Sequence, residues 1–472
     1  MNRFRPYVCA AALLAAIGVS HPSRAQTLEE VLVTTYLSNP QIEADRARQR
    51  SLDDDVARAL GGWRPVVQAT VIEGRGHDIF QYKSTKSRYS VSTSTHEYRS
   101  PETLLLQIQQ SIYDGGRTAA DVRKSRLMVE SGLAQMVSVE QTVLGQAIQS
   151  YYDLCRDQQI YDLSKQNVSW IEELAKATHA RYAVKDVTQT DVAQAEARLA
   201  KGLADQTSAE GALVASRSAF EVASGIVPGV LPPPPPPPRH LLPLSKDEAL
   251  ALAETNPDIR SVVLGEKSAE ADVDYVSSGL RPNLALVGES RKLGTTDQAY
   301  DTSFNNQVTL QLTVPLYEGG VSAARTRSAK QVVGQRKLEI DLTRRKVVDQ
   351  VNRTWQSVLT ARSSIHALTE QVRAAEVAQH AIRAEVRVGT RTVLDLLNTE
   401  QELMDAKIAL ARAQHDEAVA TYSVLGSVGH LTASALEIPV EGYDPSIHYE
   451  QVRNNWFGTG IDENYDKPAP EQ

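Results

Sequence analysis

Apolar residues recur about every 3.5 positions through long stretches of the chain, which is the spacing of a coiled-coil seam. In the second half, the seam positions are Ile365, Leu368, Val372, Ala375, Ile382 and Val386 and, after a turn, Leu396, Thr399, Leu403, Ala406, Leu410 and Ala413. The positions of the first half that match this second run are Val192, Ala195, Leu199, Gly202, Gln206 and Ala209, and Leu213 continues the seam. No proline interrupts residues 117–180 or 321–384. Each range therefore predicts one helix about 95 Å long at 1.5 Å per residue. On the helices alone, an ordinary coiled-coil rod is an equally good interpretation.

A second pattern, the alternation of apolar and polar residues, precedes each long helix. Its apolar members are Leu104, Leu106, Ile108 and Ile112 in the first half and Val308, Leu310, Leu312, Val314 and Leu316 in the second. The residues between them are polar and uncharged, and the pattern has the length and period of a membrane β-strand beside a wet lumen. A half-buried sheet of a soluble protein is the alternative. We expect partner strands to begin at Pro65 and Pro282, and Tyr82–Ser100 to form an outward loop.

The chain also repeats itself. Two motifs recur at an offset of 217 positions, Asn39-Pro40 as Asn256-Pro257 and Arg64-Pro65 as Arg281-Pro282. Two more recur at an offset of 204, Tyr113-Asp114-Gly115-Gly116 as Tyr317-Glu318-Gly319-Gly320 and Asp191 as Asp395. The order helix, strand, loop, strand, very long helix, turn, helix is the same in both halves. We therefore expect a tandem duplication, with repeats at 26–226 and 246–436, a linker at 227–245 and a polar tail at 437–472 that is extended or partly disordered. The linker contains the seven prolines of Pro232–Pro238, which predict a stiff extended spacer.

The N-terminus indicates export from the cytoplasm. Residues 1–25 combine Arg3 and Arg5, a short apolar run and an A-x-A-like cleavage site, as signal peptides do. The formal charge of −8 would become −11 after cleavage, because the peptide carries three positive charges and no negative ones. Cleavage would leave Cys155 as the single cysteine and so exclude an intrachain disulfide. An acidic chain without a basic cluster gives no support for nucleic-acid binding, and no other stretch approaches the roughly 20 apolar residues of a membrane-spanning helix.

Four strands per chain cannot close a barrel, and an open sheet edge is not tolerated in lipid. About eight strands is the practical minimum, so strands that span a membrane require an oligomer. A dimer would supply eight strands and a trimer twelve, and only the trimer gives a wide pore.

With these features together, the sequence resembles the TolC family of outer-membrane channels over the mature chain up to about residue 436. The most specific segment is 388–396, Val-Gly-Thr-Arg-Thr-Val-Leu-Asp-Leu, whose first-half counterpart is residues 182–192. The motifs ending in Gly115-Gly116 and Gly319-Gly320, where a strand passes into a long helix, also fit the family.

The resemblance implies a mainly α protein with membrane β-strands, arranged as a homotrimer in the outer membrane of a Gram-negative cell. Twelve strands would form a β-barrel, and twelve helices would continue it as an α-barrel through the periplasm. The linker and the tail would lie in a belt around the tunnel. The helix tips would close its inner end and open when a periplasmic adaptor and an inner-membrane pump of the RND or ABC type dock.

The gate would be built at the tips. Asp191 and Asp395 stand at equivalent places after each turn, and threefold symmetry would gather six carboxylates into a ring that attracts cations. Each could also simply cap a helix start. By resemblance, Arg391 would bridge to the region of Thr190 and Asp191 in the neighbouring helix pair and hold the tip shut.

The tips also differ from the pattern of the family. Asn398 stands where a second aspartate ring often occurs, and Val386 replaces a tyrosine that often helps the lock. We therefore expect a looser gate. Adaptor docking is assigned to Val388, Gly389 and Thr390, with Val184 at the first tip, where Lys185-Asp186 departs from the family pattern.

Other functions have less support. The scattered histidines, the single mature cysteine and the lack of a nucleophile-elbow motif predict no catalytic site, no metal site and no cofactor. A periplasmic adaptor or scaffold would have one helical hairpin and not two matched sets of strands. The cargo stays open between small toxic compounds and secreted proteins, although the tail segment 443–458 looks like tails of type I secretion members.

Overall fold

The computed structural model describes residues 26–84, 91–229, 231–295 and 301–460, so the expected signal peptide lies outside the described residues. The helices are α1 (Leu28–Ser38), α2 (Pro40–Leu60), α3 (Arg117–Ala183), α4 (Gln189–Ser224), α5 (Lys246–Ala253), α6 (Pro257–Ser277), α7 (Val321–Arg387), α8 (Val393–Ser427) and α9 (Pro445–Val452). The strands are β1 (Val66–Glu73), β2 (Gly76–Ser84), β3 (Val91–Arg99), β4 (Pro101–Tyr113), β5 (Asn283–Thr295) and β6 (Asp301–Thr313). None of the helices in this described part has the length and hydropathy that crossing a membrane requires.

The long helices predicted from the seam are confirmed. α3 and α7 each contain 67 residues, and each is followed by a helix of about half that length, α4 with 36 residues or α8 with 35. The repeated Asn-Pro motifs begin α2 and α6, which contain 21 residues each. The side chains of Asn39 and Asn256 accept a hydrogen bond from the backbone N–H two residues later, and the following proline suits the first helical position because it has no N–H to satisfy.

The four strands predicted from the alternating pattern are also confirmed, and they form one antiparallel sheet in the order β1-β4-β5-β6. The hairpins of the two halves therefore meet at the β4–β5 pair. Its register runs from Pro101 opposite Thr295 to Tyr113 opposite Leu284, with an irregularity after Ser111. β1 and β6 are the edges of this sheet within the described chain.

The loop expected at Tyr82–Ser100 is wrong for most of its length. β2 and β3 pair with each other as a two-stranded antiparallel ribbon, from Gly76 opposite Arg99 to Ser84 opposite Val91. The ribbon follows closely on the main sheet, because Gly74 N–H donates to Pro101 O at 3.0 Å between the two. The Ser/Thr/Tyr-rich composition suggested a loop, but Val, Thr and Tyr are also favoured in strands.

The register of the main sheet sorts its side chains onto two faces. One face exposes apolar side chains on all four strands, including Val67, Val71, Leu104, Leu106, Ile108, Leu286, Val308, Leu310 and Leu312. The other face is polar in β6, as predicted, and mostly polar in β4, where Leu105 is the exception, and β5 adds a charged pair there. Glu289 accepts hydrogen bonds from Arg291 at 2.6 Å and from Gln307 at 3.0 Å.

The described residues divide into two compact units, one of residues 26–35, 147–229, 231–236 and 365–415 and the other of residues 36–84, 91–146, 237–295, 301–364 and 416–460. In the first unit, the fully buried rings of Tyr151 and Phe220 lie 6.5 Å apart. In the second, the core cluster joins α5, α6, α7 and the residue after α8, and its members are Ala249, Ala253, Ile259, Val347, Val351 and Val428.

The described part of the tail, residues 437–460, contains a helix where an extended or partly disordered segment was expected. Asp444 caps α9, which packs against α2 within the second unit. His448 is buried there, and its Nδ1 lies 3.1 Å from Asp53 Oδ2. α9 could not be predicted because the tail is mostly polar and contains several prolines. The one buried polar residue of α9, His448, contacts Asp53, which lies 395 positions earlier in the sequence.

Candidate functional site: the two helix-hairpin turns

The first turn, between α3 and α4, ends the long helix with a residue in the left-handed conformation. Lys185 has a φ of 62°, which a residue with a side chain rarely adopts. The N–H of Lys185 donates to Tyr182 O at 2.9 Å, and the N–H of Asp186 donates to Arg181 O at 2.9 Å. These two bonds satisfy carbonyls that the helix end would otherwise leave without partners.

The second turn, between α7 and α8, has the same backbone built from different residues. Gly389 has a φ of 78° and donates to Val386 O at 3.2 Å. Thr390 donates through its N–H to Glu385 O at 3.0 Å, and its Oγ1 donates to the same oxygen at 3.0 Å. The correspondence between Lys185 and Gly389 is the one that the 204-residue offset predicts.

Asp191 and Asp395 complete a capping box at the start of each shorter helix. Thr188 is the N-cap of α4: its Oγ1 accepts from Asp191 N–H at 3.3 Å, and Asp191 Oδ2 accepts from Thr188 N–H at 2.8 Å. Thr392 and Asp395 repeat both bonds at α8, at 3.2 and 3.1 Å. The aspartates are thus the third residue of each helix and not its N-cap.

These hydrogen bonds set the charge of both groups. The backbone and side chain of Thr188 lower the pKa of Asp191, and the side chain and backbone of Thr392 lower the pKa of Asp395. Both carboxylates are therefore ionised at neutral pH, and each lies at the positive end of a helix dipole.

Each turn also contains an internal ion pair, and the two pairs have opposite polarity. In the first turn, Arg181 Nε on the helix donates to Asp186 Oδ2 in the turn at 2.6 Å. In the second, Arg391 Nε in the turn donates to Glu385 Oε2 on the helix at 3.2 Å. The four side chains are between 40% and 55% exposed, so each pair stabilises its turn by less than about 1 kcal/mol.

The bridge expected between Arg391 and the Thr190–Asp191 region would join neighbouring helix pairs. Within the single chain described here, the ion pair of Arg391 goes to Glu385, and Thr190 is exposed in the first turn of α4. Asn398 joins the two shorter helices, because its Oδ1 accepts a hydrogen bond from Arg198 Nη2 at 2.7 Å. The structure therefore brings α4 and α8 together at Asn398.

Each turn begins with an exposed apolar side chain, directly after the end of the long helix. Val184 is 75% exposed and Val388, at the equivalent position, is 74% exposed. A Cβ added at Gly389 would meet no atom within 4 Å, so the second turn also presents open backbone.

The two strand-to-helix turns lie in the other unit. The four glycines singled out there all have positive φ, 72° at Gly115, 87° at Gly116, 63° at Gly319 and 81° at Gly320. Gly115 also faces a close approach, because a Cβ would come within 2.8 Å of Arg281 Cβ. Arg281, from the second copy of the Arg-Pro motif, donates through Nη1 to Gly115 O at 2.8 Å.

The Tyr-Asp-Gly-Gly motif also starts α3. Asp114 Oδ2 accepts from Thr118 N–H at 2.7 Å and Oδ1 from Gly116 N–H at 3.0 Å. Burial alone would raise the pKa of Asp114, but the hydrogen bonds from Thr118, Gly116 and Arg117 outweigh it and lower the pKa.

Comparison with known proteins identifies the kind of molecule to which these turns belong. The sequence model of the outer membrane efflux protein family matches residues 31–225 and 250–430, one stretch in each half. The chain belongs to this family. It is 30% identical over 456 residues to the outer membrane efflux protein BepC of Brucella suis, covering 96% of both chains, and 22% identical to TolC of Escherichia coli, covering 97% of this chain and 94% of TolC. Its fold matches the CmeC outer membrane channel of Campylobacter jejuni with a TM-score of 0.73 at 13% identity, over 96% of this chain and 98% of CmeC.

Membership of the efflux protein family confirms the resemblance inferred from the turn motifs. The protein is a non-enzymatic transport protein of the outer membrane, with long helices that extend into the periplasm.

Sequence reasoning missed several residues of the turns. Thr188 and Thr392 could have been found, because Thr-x-x-Asp before an apolar run is the spacing of a capping box. Arg181, Glu385 and Arg198 carried no comparable signal, since charged residues on a long helix are usually solvated.

Proposed function

We propose that three copies of this chain form the exit duct of a tripartite export system, closing their sheets into one twelve-stranded barrel. The observation that carries the proposal is the four-stranded sheet itself, with its exposed apolar face and its two edge strands, β1 and β6. Edge strands leave backbone N–H and C=O groups unpaired, which hydrocarbon does not tolerate. Pairing β6 of one protomer with β1 of the next would remove both edges of this sheet in an outer-membrane protein.

The proposed duct is tested by purifying the protein from outer membranes and measuring its mass in detergent and its conductance in planar bilayers. A trimer with discrete conductance steps is the expected result. A monomer or dimer would rule out the twelve-stranded barrel. A trimer that never conducts would rule out the duct and favour a scaffold.

The two capping aspartates form the proposed selectivity ring. Each is ionised at neutral pH, and the threefold axis of a trimer would collect six of them near the turns. We predict that replacing both with Asn reduces cation selectivity, measured as the reversal potential in a salt gradient. Thr188→Ala with Thr392→Ala is the matched control, because it breaks the same capping boxes and keeps the charge. A reversal potential that changes equally in both double variants would assign the effect to the helix starts and not to the ring.

The exposed apolar turns are the proposed docking surface for a periplasmic adaptor, with Val388, Gly389 and Thr390 at the second turn and Val184 at the first. Photo-crosslinking from a benzophenone side chain at position 388 or 184 in living cells tests this assignment. A crosslink to a periplasmic protein from either position supports docking at that turn. Crosslinks that arise only from position 310, on the exposed sheet face, would contradict it. An inner-membrane pump of the RND or ABC type would supply the energy.

The proposed cargo is a set of small toxic compounds, because the relative that covers nearly the whole chain at 30% identity is named as an efflux protein. Deletion of the gene is expected to sensitise cells to antibiotics and bile salts and to leave the proteins of the culture supernatant unchanged. Loss of one or a few large secreted proteins, with drug sensitivity unchanged, would overturn this cargo and assign type I secretion.

A further inference from the structure

The helix-side end of the main sheet carries exposed aromatic side chains that come partly from the C-terminal segment. Trp456 and Phe457, four and five residues after the end of α9, are 58% and 89% exposed. Trp63, three residues before β1, is 51% exposed. Gln110 of β4 donates through Nε2 to Trp63 O at 2.8 Å, which fixes this segment beside the end of β4.

Arg64 holds the C-terminal segment at this end of the sheet. Its Nη1 donates to Asn455 O at 2.6 Å, and its guanidinium carbon lies 4.8 Å from the centre of the Trp456 ring. The stacked guanidinium orients the indole, since Arg prefers the face of an aromatic ring. Trp456 is therefore placed by the residue that leads into β1.

The segment is tethered at two points just before its aromatic rings, so their exposure is not that of a free chain end. α9 is docked on α2 through His448 and Asp53, and Arg64 fixes Asn455. Directly after these points the chain presents two adjacent large aromatic side chains, Trp456 and Phe457, to the outside. Trp is typical of the boundary between lipid and water, where its apolar ring with a polar N–H edge is stable, and Phe adds a wholly apolar ring beside it.

We propose that Trp456 and Phe457 insert into the lipid–water interface of the periplasmic leaflet and anchor the rim of the barrel there. The inference rests on the proposed function, because it requires the exposed apolar face of the sheet to lie in hydrocarbon. That face is continuous with the aromatic end: Val67 is only three residues after Arg64 and is 60% exposed. The occupant is the phospholipid interface at the end of a surface that already faces lipid.

The test uses the full-length protein in vesicles of phosphatidylcholine brominated either near the headgroup or near the chain ends. The chain has four tryptophans, Trp63, Trp170, Trp355 and Trp456. A variant with the other three changed to Phe reports on Trp456 alone. Leu310→Trp in a tryptophan-free protein is the control for the sheet, because Leu310 is 64% exposed on the apolar face. Trp170 alone, on the long helix α3, is the control for the periplasmic region.

We expect Trp456 to be quenched more strongly by bromine near the headgroup than by bromine near the chain ends. Leu310→Trp should show strong quenching by the deep bromines, and Trp170 should show none. Unquenched Trp456 with quenched Leu310→Trp would overturn the anchor and leave the barrel intact. If Leu310→Trp is also unquenched, the sheet does not lie in lipid and the proposed function fails with it.

A further pair of variants tests the role of Arg64 as a positioning residue. Arg64→Ala is expected to abolish the difference between shallow and deep quenching at Trp456, because the indole is no longer held. Arg64→Lys keeps the charge without the planar group and should retain only part of the difference. A depth profile that is unchanged in Arg64→Ala would exclude Arg64 from the anchor.

Discussion

At the scale of single residues, the two turns adopt the same backbone conformation, but its conformational free energy differs between them. Lys185 and Gly389 both adopt positive φ and donate to the carbonyl three residues earlier. Glycine has no Cβ to clash in this region, whereas a residue with a side chain is disfavoured there. The first turn is therefore intrinsically more strained than the second. The strain lies beside exposed apolar tips, which are the proposed docking surface.

We predict that Gly389→Ala destabilises the second turn by about 1 kcal/mol, since open space around Gly389 leaves only the conformational cost. Lys185→Gly should stabilise the first turn by a smaller amount, because glycine also gains freedom in the unfolded chain. Hydrogen exchange of the turn amides, followed by mass spectrometry, measures both changes. In each variant the unmodified turn serves as the internal control. Exchange that rises in Lys185→Gly would show that the lysine side chain makes contacts that outweigh its strain.

At the scale of elements, the sequence predicted those features whose cause is local and periodic. The seam predicted α3 and α7, the alternating pattern predicted β4 and β6, and the Asn-Pro motif marked the starts of α2 and α6. β2 and β3 were missed because their polar side chains do not separate a strand from a loop. The partner of Arg391 could not be predicted either. Glu385 and Asp191 are both acidic and both near a turn, and only geometry separates them.

Arg391 could act on the gate through Glu385 of its own turn or through Asp191 of a neighbouring helix pair, and the two pairings predict different effects of substitutions. If Arg391 locks the tip by pairing with a neighbouring Asp191, Arg391→Ala and Asp191→Asn should each raise the resting conductance. An exposed ion pair contributes less than about 1 kcal/mol, so a roughly two- to fivefold rise per broken pair is expected. The double variant should add little to either single variant. Glu385→Gln, which breaks only the pair within the turn, should leave the conductance near that of the wild type.

Planar-bilayer recordings of the four variants decide between the two partners. The opposite pattern, in which Glu385→Gln opens the channel as much as Arg391→Ala while Asp191→Asn does not, would assign Arg391 to the ordering of its own turn. If the conductance is unchanged in all four variants, these residues do not lock the tip.

At the scale of the whole chain, single clusters join residues that are far apart in sequence. Arg239, at the end of the proline-rich linker, pairs at 2.7 Å with the buried Glu417, which Arg362 also contacts at 3.1 Å. Glu140 of α3 accepts from Ala433 N–H at 2.7 Å beyond the end of α8. Asp53 and His448 join α2 to the tail. The linker and the tail therefore add specific contacts to a unit whose helices and strands come mainly from the two repeats.

The Asp53–His448 contact makes docking of the tail dependent on pH. Burial raises the pKa of Asp53, and hydrogen bonds from His448 and Gln49 only partly oppose the rise. The docked state thus binds a proton more readily than the undocked state. Protonation of Asp53 therefore contributes to the stability of the docked tail. This contribution is complete below the usual carboxyl pKa of about 4 and is lost as the pH rises through the raised pKa of Asp53. Hydrogen exchange in α9, corrected for the intrinsic rate, should therefore show tighter docking on acidification in the wild type and not in Asp53→Asn.

Substitutions at this contact separate charge from packing. His448→Ala leaves a buried carboxylate with one partner fewer, which costs about 1–3 kcal/mol and raises the population of the undocked tail by roughly 5- to 150-fold. Because cleavage of an opened segment follows its population, tryptic cleavage after Arg453 should accelerate by the same factor. Adding Asp53→Asn to His448→Ala should slow cleavage again, since a neutral amide is less costly to bury than an unpaired carboxylate. Cleavage after Lys185, in the exposed first turn, is the reference rate. A double variant as labile as His448→Ala alone would mean that the imidazole docks the tail by packing and that the charge of Asp53 has no part in it.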